Sequence, residues 1–160
     1  MGSKKEVRVR IKSVRYEVEA SLFSEEKDII VAGEETSAEP QTIRINTLGT
    51  MTIENGRVEI GYEETQATGM DGSTTTVTYM LDQPEVVSMI REGAVSTALV
   101  FEAGKRHHCV YRTPIMPFEV CVRTIKVENR LLDAKTLMLD YVIEIRGAQA
   151  ERTKFYMEIL

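Results

Sequence analysis

Thr42-Ile43-Arg44-Ile45-Asn46-Thr47-Leu48-Gly49-Thr50-Met51-Thr52-Ile53-Glu54-Asn55-Gly56-Arg57-Val58-Glu59-Ile60-Gly61-Tyr62 reads as two strands and the turn that joins them. Successive side chains of a strand point to opposite faces, so a half-buried strand alternates apolar with polar. Residues 42–53 do this, with Ile43, Ile45 and Thr47 on one face and Arg44, Asn46 and Leu48 on the other. Asn55-Gly56 then supplies two residues that tolerate a positive φ, as a two-residue hairpin turn requires. Residues 57–65 pair back, with Val58, Ile60 and Tyr62 sharing a face.

The same rhythm extends in both directions. Upstream, Val7, Val9 and Ile11 alternate with Arg8, Arg10 and Lys12, and the strand can continue through Tyr16, Val18 and Ala20. Residues 24–40 are acidic and polar and read as a long loop or loose hairpin tip, with room for a short strand at 28–32. Downstream, strands are expected at 73–81, 86–91, 94–102, 106–113, 118–128 and 135–146, and from Thr153 to the end. Turns are expected at Gly69-Met70-Asp71-Gly72, Asp82-Gln83-Pro84, Glu92-Gly93, Ala103-Gly104-Lys105 and Gly147-Ala148-Gln149-Ala150. All four prolines fall between these strands, where a missing N–H does no harm. No segment carries a 3.6-residue apolar period with caps. The pattern predicts an all-β chain of about eight to ten strands in an antiparallel meander. Pairing the last strand with the first would close it and remove exposed edges.

Composition limits what such a domain does. The 160 residues fit one domain, 1–160, with 42% hydrophobic and 28% charged residues and a net charge of −5. An acidic chain without tryptophan is a poor nucleic-acid binder, and no apolar run reaches the roughly 20 residues of a membrane helix. No secretory leader is recognised at the N-terminus. With only Cys109 and Cys121, the expectation is a cytoplasmic protein with reduced thiols.

The residues also carry a family likeness. Thr47-Leu48-Gly49, Tyr62-Glu63-Glu64, Arg91-Glu92-Gly93, the strand from Ser96 to Phe101, Tyr111-Arg112-Thr113-Pro114, Arg123-Thr124 and Tyr141 occur in an order and spacing that resemble the YwiB-like family of uncharacterised bacterial proteins. That resemblance implies a calycin-like, lipocalin-related β-barrel in a bacterial cytoplasm, and no established activity. Ile115-Met116 stands where the family usually has an aromatic and a glycine, and the acidic stretch at 24–40 reads as a local elaboration.

Three groups of residues invite a chemical reading. Tyr62, Arg91, Tyr111, Arg123 and Tyr141 are the candidate ligand-binding residues, with Glu63 or Glu64 nearby in sequence: tyrosines and arginines on a barrel wall can grip an anionic or amphipathic small molecule. The alternative is that the tyrosines are core residues with satisfied hydroxyls and Arg91 plugs a barrel end. His107, Cys109 and Cys121 offer too few ligands for a soft metal, and no metal or cofactor is expected. Whether the two thiols meet depends on the hairpin register. If Thr113 opposes Phe118 they lie on opposite faces; if Thr113 opposes Pro117 they face each other. No Gly-x-Ser-x-Gly elbow, phosphate loop or His-Glu-x-x-His motif occurs, and no catalytic residue is assigned. The run Ser73-Thr74-Thr75-Thr76 could offer hydroxyls, although it also suits a half-exposed strand.

The leading expectation is therefore a non-enzymatic barrel that holds a small apolar or amphipathic ligand, with Arg91 as anchor. The rival is an interaction or oligomeric module, such as a homodimer, with a filled barrel. A cavity lined by Tyr62, Leu139 and Tyr141 would favour the first, and a packed interior the second.

Overall fold

Ten antiparallel strands form a nearly closed barrel in the computed structural model, which describes residues 3–18, 40–64, 72–145 and 150–160. In chain order they are β1 (Ser3–Val18), β2 (Gln41–Glu54), β3 (Arg57–Glu63), β4 (Thr74–Met80), β5 (Gln83–Glu92), β6 (Thr97–Glu102), β7 (Arg106–Tyr111), β8 (Phe118–Arg130), β9 (Thr136–Ile145) and β10 (Ala150–Ile159). The expected short strand at 28–32 and most of the turns at 69–72 and 147–150 lie outside the described residues. Asn55 and Gly56 hold φ of 53° and 76°, the left-handed pair that the β2–β3 hairpin needs.

The sheet order is β6-β5-β4-β3-β2-β1-β10-β9-β8-β7. The first and last strands do pair, from Val9 opposite Ile159 to Val18 opposite Ala150. The break in the ladder falls instead in mid-chain, between β6 and β7. The tight Ala103-Gly104-Lys105 link predicts a hairpin there, yet no ladder joins these two strands among the described residues. Gly104 donates to the Thr124 carbonyl on β8 (2.9 Å), and Thr124 N–H donates to Lys105 (3.1 Å). Lys105 N–H closes the turn on the Glu102 carbonyl (2.9 Å), and the turn's other bonds go to β8 instead of continuing a β6–β7 ladder. At the other end of the seam Ser96 and Arg112 exchange two hydrogen bonds of 2.8 and 2.9 Å.

Alternation packs Val9, Ile11, Val58, Ile60, Val77, Val87, Leu99, Phe101, Val122, Leu137, Leu139 and Met157 inside. Each large side chain fully buried there contributes about 1.5–3 kcal/mol. On β8 the phase changes once. Val120, Val122 and Thr124 face inward, a bulge follows between Thr124 and Lys126, and Val127 then takes the inward position opposite Leu139. A second irregularity lies between Thr78 and Met80 on β4. It accommodates Pro84, which stands second in β5 rather than between strands, at the end of the ladder where its missing N–H is harmless. Gly49 is opposite Tyr62, and a Cβ on it would meet the Gly61 carbonyl oxygen at 2.6 Å. Only glycine lets β2 and β3 approach so closely beside that ring.

The candidate ligand cavity

Strand register draws the polar residues of one barrel half into a row. Gly49 is opposite Tyr62, Tyr62 opposite Thr75, Thr75 opposite Arg91, and Arg91 opposite Thr97. Glu64 follows Tyr62 by two residues and lies on the same inward face. Across the barrel, Arg15 is opposite Thr153, and Thr153 opposite Tyr141. Between these rows lies a cavity of about 240 Å³. Ile11, Ile45, Met89, Leu99 and Phe155 supply apolar wall. Tyr62, Glu64, Arg91, Tyr111, Tyr141 and Thr97 supply polar groups, and the half-exposed pair of Arg15 and Glu151 marks the mouth.

Glu64 is almost wholly buried, at 4% exposure. Its Oε1 accepts the Thr75 hydroxyl at 2.6 Å and stands 3.4 Å from an Arg91 guanidinium nitrogen. Arg91 Nε donates to Thr75 Oγ1 at 3.3 Å. Arg15 Nε is 3.1 Å from Glu151 Oε1, in ion contact without hydrogen-bond alignment. The Glu64 Oε2 and Thr97 Oγ1 atoms are buried and have no hydrogen-bond partner among the described residues.

Burial raises all three phenols. Tyr62 is pushed far up, with Glu64 adding to the effect and Arg91 opposing it. Tyr111 is pushed up to about 12 by burial, reinforced by Tyr141. Tyr141 rises through burial too, against the pull of Arg91 and Arg15, and packs its ring 4.6 Å from that of Phe101. All three stay neutral at ordinary pH, as hydrogen-bonding groups and not as bases.

Four of the five residues singled out from the sequence thus line one cavity: Tyr62, Arg91, Tyr111 and Tyr141. Arg123 does not. It is opposite Arg106 and Val142 and is buried on the outer face of β8, close enough to Glu144 to oppose the rise that burial imposes on that carboxyl. The reason is parity: Val122 and Thr124 point inward, so Arg123 points outward. Leu139 is fully buried in the core but is not part of the cavity wall. Of the two neighbouring acids noted beside Tyr62, Glu64 is the one in the cavity wall, as parity with Tyr62 requires. Thr97, Arg15, Glu151 and Thr153 were not singled out, because their places depend on register. Thr75, within the noted threonine run, proves to be the hydroxyl that links Glu64 to Arg91.

The hairpin register matches neither alternative considered above. Tyr111 is opposite Phe118, so Cys109 faces Val120 and His108 faces Cys121. Cys109 joins the core at the seam, Cys121 lies on the outer face, and both are free thiols raised by burial. His107 Nε2 is 3.6 Å from Glu102 Oε1 across the seam. Among the described residues no group of three or more His, Cys, Asp or Glu side chains could hold a metal ion. No described helix is long and apolar enough to cross a membrane.

Comparison with known proteins agrees with this architecture. The crystal structure of the ywiB protein from Bacillus subtilis superimposes with a TM-score of 0.66 at 16% identity, covering 97% of this chain and 92% of that one. At that identity the likeness speaks for the fold alone. None of the curated proteins matches the chain. Residues 28–157 match the family described as "Domain of unknown function (DUF1934)". Matched over most of its length, the chain belongs to this YwiB-like family of uncharacterised barrel domains.

Proposed function

We propose that the protein is a non-enzymatic binding barrel for one small apolar or amphipathic molecule. The observation that carries this reading is the 240 Å³ cavity, walled by aliphatic side chains and bearing a few convergent polar groups at one end. An apolar cavity of about 150 Å³ accepts benzene, so the ligand is somewhat larger than one aromatic ring. An up-and-down barrel with an interior site is also the arrangement of calycins. The neutral tyrosines and the pairing of both lining carboxylates with arginines favour holding a ligand over transforming it. Two free thiols suit a reducing, cytoplasmic setting.

The arginine is a positioning group more than a free anion anchor. Its guanidinium already faces Glu64 and Thr75. Native mass spectrometry of the freshly purified protein, set against its denatured mass, tests the reading. Extra mass lost on denaturation is the expected result. A clean apo mass together with a stable dimer would overturn it in favour of an interaction module, whose contact surface would include the exposed Ile115 and Met116 of the β7–β8 tip.

A further inference from the structure

Two residues of the cavity wall each carry a buried polar atom whose hydrogen-bonding capacity is unused by the described residues. Glu64 Oε2 follows the end of β3, and Thr97 Oγ1 opens β6. Both residues are more than nine-tenths buried and line the same cavity. A carboxylate oxygen only accepts hydrogen bonds, and leaving it unmatched in the interior is costly. A threonine hydroxyl donates or accepts. One group that donates to the first and accepts from the second would satisfy both.

Charge narrows the chemistry further. The lining carries two arginines and two glutamates, joined as Arg91–Glu64 and Arg15–Glu151. The site is balanced, so a ligand carboxylate or ammonium would add an uncompensated charge to a poorly solvated place. An uncharged hydroxyl adds none. Resting on the binding-barrel reading above, we infer that the ligand is a neutral alcohol or phenol with an apolar body, whose hydroxyl donates to Glu64 Oε2 and accepts from Thr97 Oγ1. Its body lies against Ile11, Leu99 and Phe155.

Four probes of similar size test this on the intact protein: 1-naphthol, 1-methoxynaphthalene, naphthalene and 1-naphthoate, with dissociation constants from competition against naphthol fluorescence. The methyl ether can accept but not donate. Naphthol should bind about tenfold tighter than the ether or naphthalene, as one charge-assisted hydrogen bond allows, and naphthoate should bind weakest. Glu64→Gln should erase the advantage of naphthol over its ether and raise naphthoate in the order, because Arg91 then lacks its counter-charge. If that variant does not fold, the probe ratios in the unaltered protein decide. Naphthalene or the ether binding as tightly as naphthol would overturn the hydroxyl inference and leave the barrel reading standing. Naphthoate binding tightest would do the same in favour of an anion. Binding of none of the four, with a clean apo mass, would remove both.

Discussion

The Asp140–Arg152 pair on the outer face and the Glu64–Arg91 pair on the inner face are both buried carboxylate–guanidinium contacts, yet they are built differently. Arg152 meets Asp140 as a fork, Nε to Oδ1 at 3.0 Å and its terminal nitrogen to Oδ2 at 2.8 Å, with each carboxylate oxygen used. Arg91 reaches one oxygen of Glu64 at 3.4 Å, shares Thr75 with it, and leaves the second oxygen unused among the described residues. The outer pair is complete and staples β9 to β10. The inner pair is incomplete and borders a cavity. A buried charge pair with each carboxylate oxygen bonded speaks for architecture, and one with a spare acceptor in a cavity-wall residue speaks for a third participant.

The largest expected effect breaks the outer pair. Asp140→Ala removes both bonds of the Arg152 fork from a buried place and should lower the unfolding free energy by about 3–5 kcal/mol in urea titrations. The double variant Asp140→Leu with Arg152→Met should recover most of that loss. A cost in the single variant below about 1 kcal/mol would erase the contrast, because exposed pairs lose no more than that.

High pH probes the inner side, where the three raised phenols crowd the Glu64–Arg91 pair. The Tyr111 phenol titrates at about 12 in the fold, against about 10 for a free phenol. A raised folded value means that its contribution is whole below pH ~10 and is lost as pH climbs through the folded value. For Tyr111 alone that loss amounts to about 3 kcal/mol at most. Phenolate absorbance of the buried tyrosines should therefore rise together with loss of β-sheet signal. Phenolates appearing while the circular dichroism stays native would show that the inner cluster is wetter than this geometry has it.

A smaller effect sharpens the geometry of the inner row. Gly49→Ala places a methyl 2.6 Å from the Gly61 carbonyl, so β2 and β3 must part beside Tyr62. The expected loss is about 1–3 kcal/mol, together with weaker binding of 1-naphthol. An unchanged thermal midpoint would mean that the strands yield more easily than a packed barrel allows.

Much of this was legible in the amino-acid order. Period-two alternation defines β1, β2, β3, β9 and β10 to within a few residues, and Asn55-Gly56 places the first hairpin, because strand faces and turn dihedrals are local properties. The same parity put Tyr62 and Tyr141 inside, and the family likeness added Arg91 and Tyr111 to them. Arg123 was misplaced because no face was assigned along β8 from the sequence, where it stands between the inward Val122 and Thr124. Other features were settled only by long-range pairing. At the mid-chain seam, Gly104 N–H and the Lys105 carbonyl of the turn are bonded to Thr124 on β8, a pairing no local pattern announces. The two thiols part because Tyr111 pairs with Phe118, and a one-residue slip in register reverses every face. The cavity itself exists because six strands bring Tyr62, Thr75, Arg91, Thr97, Tyr141 and Thr153 to the same height of the barrel, far apart in the chain and adjacent only across ladder hydrogen bonds. Along the regularly alternating strands, sequence alone determined which residues turn inward, since that depends on neighbours one and two positions away; on bulged β8 it did not. Which inward residues meet, and which buried oxygen is left without a partner, depends on ladder register, and only the assembled sheet fixes it.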